Sequence, residues 1–385
     1  MENAQLEMSD DEEIIPLDQQ ESEEDVHPTK EESRDAVLFN TDWTVETLFR
    51  QIDKKNINLD PKFQRREAWD LARKSKLIES ILCSFPIPNV VLAEDRANKG
   101  RYIVIDGKQR LFSISSFMRD EFELNGLTIR KDLNGSKFSQ LSREDTDVIE
   151  NQPIRTVIIR NWPTEDYLYS VFYRLNSGSL PLSSQELRKA LHGGKLLDYI
   201  DDFIQSSQPY KSIFGEKLDR RMRDVELVLR FVAFERFLNT YKGNLKTFLD
   251  DTVIFYDTNW NAEIATLDAD LSKLNDSLIT TKEIFGEDSF KKWNGEKFEP
   301  RINRAIFDVI SRYFSDSTLR ASAIDHKAGI VQRFKTICTE NQNFKNAIER
   351  TTKTPTATST RYRIWGEELA NELGRRFDDA QRRLV

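Results

Sequence analysis

The sequence predicts an α+β protein in which a mixed N-terminal domain is followed by an all-helical C-terminal lobe. Three observations predict it. Up to about residue 160, short runs dense in β-branched and aromatic residues alternate with apolar residues at three-and-four spacing. From about Asp201 only long helical patterns follow, and 385 residues give room for two cores. The expected boundaries are an acidic tail over 1–35, a mixed domain over 36–200 and a helical domain over 201–385.

Composition narrows the class. With 38% hydrophobic and 32% charged residues against 14 Gly and 11 Pro, the chain reads as a charged, helix-rich globular protein. No apolar run reaches membrane-spanning length, so no membrane partner is expected. The N-terminus lacks a basic start before an apolar core, which points to a cytoplasmic protein. Cys83 and Cys338 lie far apart within helical patterns and read as reduced core residues. The net charge of −8 is uneven: residues 1–35 hold 14 acidic residues against Lys30 and Arg34, a net −12, so the remainder carries +4. The tail is expected to be disordered, and it either shields a basic groove or simply solubilises the chain.

The elements follow in order. Thr41 or Asp42 is the expected start of a helix with Val45, Leu48, Phe49 and Ile52 inward, before an extended stretch at 57–59. Asp60-Pro61 interrupts, FQRREAW follows, and Asp70 opens a helix that buries Leu77, Ile78, Ile81 and Leu82. Residues 89–94 and 101–106 read as a hairpin. Asn125-Gly126, between Phe122–Leu124 and Leu127–Ile129, carries a type I′ hairpin signal. Residues 154–160 form a strand, and Thr164 starts a helix with Leu168, Val171, Phe172 and Leu175 on one face. Ser183 and Glu186 form a capping box, with Leu182 and Leu187 placed for a hydrophobic staple.

The stretch RYIVIDGKQRLFSISSFM, residues 101–118, switches from strand to helix at Gly107. A helix start leaves amide N–H groups unpaired and partly positive, and glycine lets a ligand approach, so Asp106, Gly107, Lys108, Gln109 and Arg110 form a candidate phosphate site. The residues alone leave open a plainer reading, in which Asp106 favours the helix start electrostatically and Arg110 is solvated. In either case Arg110, one step before the apolar face begins at Leu111, is expected to cost the fold little when truncated.

In the second half, residues 224–241 read as a buried helix, and helical patterns recur at 264–284, 300–314, 324–338 and 362–376. Residues 351–363 read as a polar loop ending in Arg361 and Arg363. The three histidines, His27, His192 and His326, form no metal or nuclease signature, and no Walker glycine loop is present.

Three segments in order, LDPKFQRREAWDLARKSKLIESILCSFPIPNVVLAED, IDGKQR and VFYRLNSGSLPLSSQELRKALHGG, resemble the N-terminal domain of GmrSD-type modification-dependent restriction endonucleases. The resemblance spans about residues 40 to 195. It implies a ParB/sulfiredoxin-like fold that binds, and hydrolyses, a nucleoside triphosphate as part of bacterial defence, with DNA and a separate nuclease subunit as partners. It also implies roles residue by residue. Arg65 falls on the family's Q-R step, although pairing with Glu67 or Asp70 is the simpler reading of the residues. Asp106 is implied as the catalytic carboxylate, holding Mg²⁺ or orienting water, and Asn176, Ser177 and Arg188 join the phosphate-binding set. Lys108 stands where most relatives carry glutamine in D-G-Q-Q-R. The alternative is a non-enzymatic ParB-like regulator using the same cleft on DNA.

Overall fold

The computed structural model describes residues 35–59, 69–175, 183–219, 221–350 and 352–385. The expected tail lies outside these residues but for Asp35, as do Arg65, Arg66, Asn176, Ser177 and the staple residue Leu182. The described chain falls into two compact units that divide between Gly193 and Gly194.

The N-terminal unit is built on a four-stranded mixed sheet. Its strands are β1 (Val37–Thr44), β2 (Val90–Glu94), β3 (Tyr102–Asp106) and β4 (Pro153–Arg160), in the order β1-β4-β2-β3. β4 pairs antiparallel with β1 and parallel with β2, while β2 and β3 form the expected antiparallel hairpin. Strand alternation sends Val90, Leu92 and Val104 into one apolar cluster and Val91, Ala93 and Ile105 into another. The first cluster receives Val45 and Leu48 of helix α1 (Val45–Asp53), Ile78 and Ile81 of α2 (Leu71–Leu82), Leu111 and Ile114 of α3 (Lys108–Met118) and Ile149 of α4 (Arg143–Asn151). The second receives Leu168 and Phe172 of α5 (Glu165–Leu175) and Leu187 of α6 (Ser184–His192). Helices therefore cover both faces of the sheet.

Several local expectations change. The start of α1 lies two to three residues later than Asp42 or Thr41 suggested, because 37–44 extend as a strand along all of β4 and Thr44 becomes the cap, accepting from the Thr47 amide at 3.1 Å. Asn125-Gly126 makes no strand pair. Leu124 instead exchanges backbone bonds with Gly135 and Ser136, the Asn125 amide donates to Ser75 Oγ at 2.9 Å, and the Ile129 and Arg130 amides donate to Glu79 Oε1 at 2.6 and 3.0 Å. Acceptors on α2 thus outcompete the turn propensity. Cys83 caps the end of α2 half-buried, and Cys338 is buried, where burial pushes its thiol up to about 12.

The second unit is mainly helical, with two short antiparallel hairpins, Lys291–Trp293 with Phe298–Ile302 and Phe377–Asp378 with Arg383–Leu384. Its first helix, Lys195–Ser206, runs across residue 200 and buries Leu196, Leu197, Ile200 and Ile204 in this unit's core. The 324–338 pattern is two helices that break at His326. The expected polar loop at 351–363 is largely helix: Thr354 caps Pro355–Leu373, with Pro355 in the first turn where its missing N–H costs nothing. Arg361 does not reach solvent. It lies buried 3.2 Å from Asp308, which also accepts from Arg230 Nε at 3.0 Å. Among the described residues, no helix is long and apolar enough to cross a membrane.

Candidate functional site

The site grows from the end of β3. Asp106 pairs with Val91 in the sheet, the next residue turns the chain, and α3 begins at Lys108. Gly107 has φ 95°, a left-handed conformation that costs a side-chain-bearing residue about 1–2 kcal/mol. Space is also short, because a Cβ there would lie 3.0 Å from Val90 Cγ2 and 3.2 Å from Arg110 Nη2. The glycine is therefore needed for the turn itself.

No side chain caps α3. Its opening amides belong to Lys108, Gln109 and Arg110, and the first helical backbone bond runs from the Leu111 amide to the Gly107 carbonyl at 3.0 Å. Such a helix start carries the positive end of the helix dipole. Lys108 is buried beside it.

Arg110 is not solvated as the plainer of the two readings would have it. Its Nη2 donates to Asp106 Oδ2 at 2.6 Å and to the Asn89 carbonyl at 2.8 Å, and its side chain is only 12% exposed against 30% for Asp106. The guanidinium ties the first turn of α3 to the end of β3 and to the residue before β2. Gln109 Oε1 and Arg110 Nε are buried without hydrogen-bond partners.

Helix α6 packs against β3 from the second face. The capping box is present: the Glu186 amide donates to Ser183 Oγ at 3.0 Å, and the Ser183 amide donates to Glu186 Oε2 at 2.6 Å. Arg188 is fully buried, and its Nη1 donates to Gln185 Oε1 at 2.7 Å. Leu187, beside Arg188, shares an apolar cluster with Ile105, beside Asp106. The structure thus sets Asp106, Gly107, Lys108, Gln109 and Arg110 in one turn, with Arg188 on the helix covering the same strand.

Sequence reasoning missed Gln185 and the Asn89 carbonyl. Gln185 sits inside the capping box and reads there as an ordinary polar first-turn residue, and a backbone acceptor has no side-chain signature at all.

A mixed sheet covered by helices on both faces, with a strand-to-helix glycine turn at one end, defines an α+β module. Residues 45–193 match the GmrSD restriction endonuclease, N-terminal domain, and this unit belongs to that family. The assignment points to a component of a restriction, or anti-phage, system. No curated protein and no solved structure matches the chain.

Proposed function

We propose that the N-terminal unit binds a nucleoside triphosphate at the Asp106–Gly107–Lys108 turn and hydrolyses it, as the sensing or regulatory part of a modification-dependent restriction system. The observation that carries this reading is the start of α3 on a left-handed glycine with no side-chain cap. Magnitudes require more than this turn. A helix start contributes about 0.3–2 kcal/mol toward an anion and a charge-assisted hydrogen bond about 1.5–3, whereas micromolar binding needs about 8. Lys108, at the start of α3, and Arg188, on the helix packed against β3, are the cations proposed to supply the rest, with Arg65, Asn176 and Ser177 as the proposed further contacts.

Asp106 has one oxygen committed to Arg110, which leaves Oδ1 for a cation or a water. A single carboxylate oxygen suits Mg²⁺, which keeps several waters and shares phosphate oxygens. Bound there, the ion would neutralise charge on the phosphates. Arg110 acts as a positioning residue, fixing the carboxylate that orients the attacking water. The water oxygen bonds to the γ-phosphorus as the bridging P–O bond breaks, giving the diphosphate and inorganic phosphate. DNA and a separate nuclease subunit are the partners proposed for the outcome.

Phosphate release from a panel of nucleoside triphosphates, with and without modified DNA, tests the reading. Release that depends on Asp106 is the expected result. Neither binding nor release under any condition, together with salt-sensitive DNA binding, would leave the regulator reading in its place.

A further inference from the structure

Gln185 is fully buried, its Oε1 accepts from Arg188, and its Nε2 is a buried donor with no hydrogen-bond partner. The Arg188 contact fixes which end of the carboxamide is oxygen, so the orphan is a donor. Folded proteins satisfy nearly all such groups, and a buried donor without an acceptor is destabilising. Its location gives the cost a meaning. Gln185 stands in the first turn of α6, the helix packed on β3, and the neighbouring Leu187 meets the apolar cluster that contains Ile105, one residue before Asp106.

Resting on the nucleotide reading above, we infer that Gln185 is a ligand-contacting residue of the same site, its Nε2 donating to a phosphate oxygen of the bound nucleotide. Arg188 holds the amide in register through Oε1. Nε2 is closed to water, so binding must shift the groups that cover it. Gln185 thereby couples occupancy of the turn to the seating of α6.

Two substitutions separate the donor from its scaffold. Gln185→Met keeps the volume and removes both polar atoms, whereas Gln185→Glu keeps an acceptor for Arg188 and removes only the donor. The full-length protein is titrated with adenosine and guanosine triphosphates and with inorganic pyrophosphate, and thermal melts run in parallel. Both variants are expected to bind at least about 10-fold more weakly, the loss of one charge-assisted contact, with Gln185→Glu the weaker because it adds a negative charge. Gln185→Met is expected to melt below wild type, because Arg188 Nη1 loses its buried acceptor, whereas Gln185→Glu keeps that acceptor, so affinity is compared in the folded fraction of each. If Gln185→Glu binds as tightly as wild type while Gln185→Met does not, Gln185 serves only to hold Arg188 and the donor role is overturned. Equal affinity in all three proteins overturns it too. A wild-type protein that binds neither triphosphate nor pyrophosphate brings down the nucleotide reading itself, a result distinguishable from the other two.

Discussion

Nη2 of Arg110 bridges Asp106 Oδ2, at 2.6 Å, and the Asn89 carbonyl, at 2.8 Å, so one nitrogen joins the end of β3, the start of α3 and the approach to β2. A first-turn arginine that reads as solvated is in fact a fastener. Arg110→Ala should therefore destabilise the unit by about 1.5–3 kcal/mol, the worth of a charge-assisted contact. Arg110→Lys, which carries a point charge without the planar fork, should recover only part of this. Thermal or denaturant unfolding of the two variants checks it. Wild-type melting of Arg110→Ala would restore the solvated reading.

Gly107→Ala tests the turn. The left-handed φ costs about 1–2 kcal/mol, and the new methyl would crowd Val90 and Arg110 as well. A loss of about 2 kcal/mol or more is expected, with nucleotide binding reduced in the fraction that stays folded. Equilibrium unfolding reads the first effect and titration of the folded protein the second. An unchanged unfolding midpoint would mean that the turn relaxes without strain.

How much of this was legible in the sequence depended on whether the deciding partner was near in the chain. The β2–β3 hairpin, the cap at Asp70 and the Ser183–Glu186 box are set by neighbours within a few residues, and all three stand as read. What failed was set at a distance. β1 is a strand because β4, more than 100 residues on, pairs with it over its whole length. Asn125-Gly126 loses its hairpin to Ser75 and Glu79 on α2, about 50 residues away. Residues 355–363 look polar enough for a loop, yet Arg361 is buried because Asp308 waits for it. At the candidate site the turn itself was legible from its glycine and flanking periods, whereas the Arg110 tether to Asn89 and the orphan donor of Gln185 appear only once the sheet has brought them together.

Glu79 gives a pH dependence. Burial pushes its carboxyl up, but the amides of Ile129, Arg130 and Thr128 outweigh this and hold it below the usual range. A depressed folded value means the stabilisation is complete above the unfolded value, about 4.3, and is lost as pH falls through the folded one. Glu79→Gln should cost about 1–3 kcal/mol at pH 7, and the gap between variant and wild type should narrow as pH falls below the unfolded value and through the depressed folded one. Urea unfolding at pH 7, 5 and 3.5 measures it. A gap that persists unchanged at pH 3.5 would assign the effect to packing instead of charge.

Deleting residues 1–35 changes the net charge from −8 to +4, by removing 14 acidic residues with Lys30 and Arg34. Nonspecific DNA binding should strengthen at low salt and converge with the full-length protein as salt screens the difference. A salt titration of DNA affinity with both proteins decides it. Equal affinity at every salt concentration would show that the tail is no electrostatic shield.

The second unit carries its own test at Asp308, which is fully enclosed between Arg230 and Arg361. Three helices meet there: Arg223–Phe237, Arg304–Phe314 and Pro355–Leu373. Burial pulls the Arg361 pKa below the usual guanidinium value, and the Asp308 carboxylate opposes that pull. Taking away the carboxylate leaves two guanidinium groups enclosed without their shared counter-charge, so Asp308→Asn should cost about 3–5 kcal/mol. Arg361→Met is different in kind. It removes one cation while Arg230 still satisfies Asp308, and an apolar side chain of similar volume at such a position is often neutral or stabilising. The expected order of stability is therefore wild type close to Arg361→Met, with Asp308→Asn far below both. Denaturant unfolding, followed by a probe in the second unit, measures the order. An Asp308→Asn protein as stable as wild type would show that the two arginines find other acceptors and that the carboxylate is not what joins these helices.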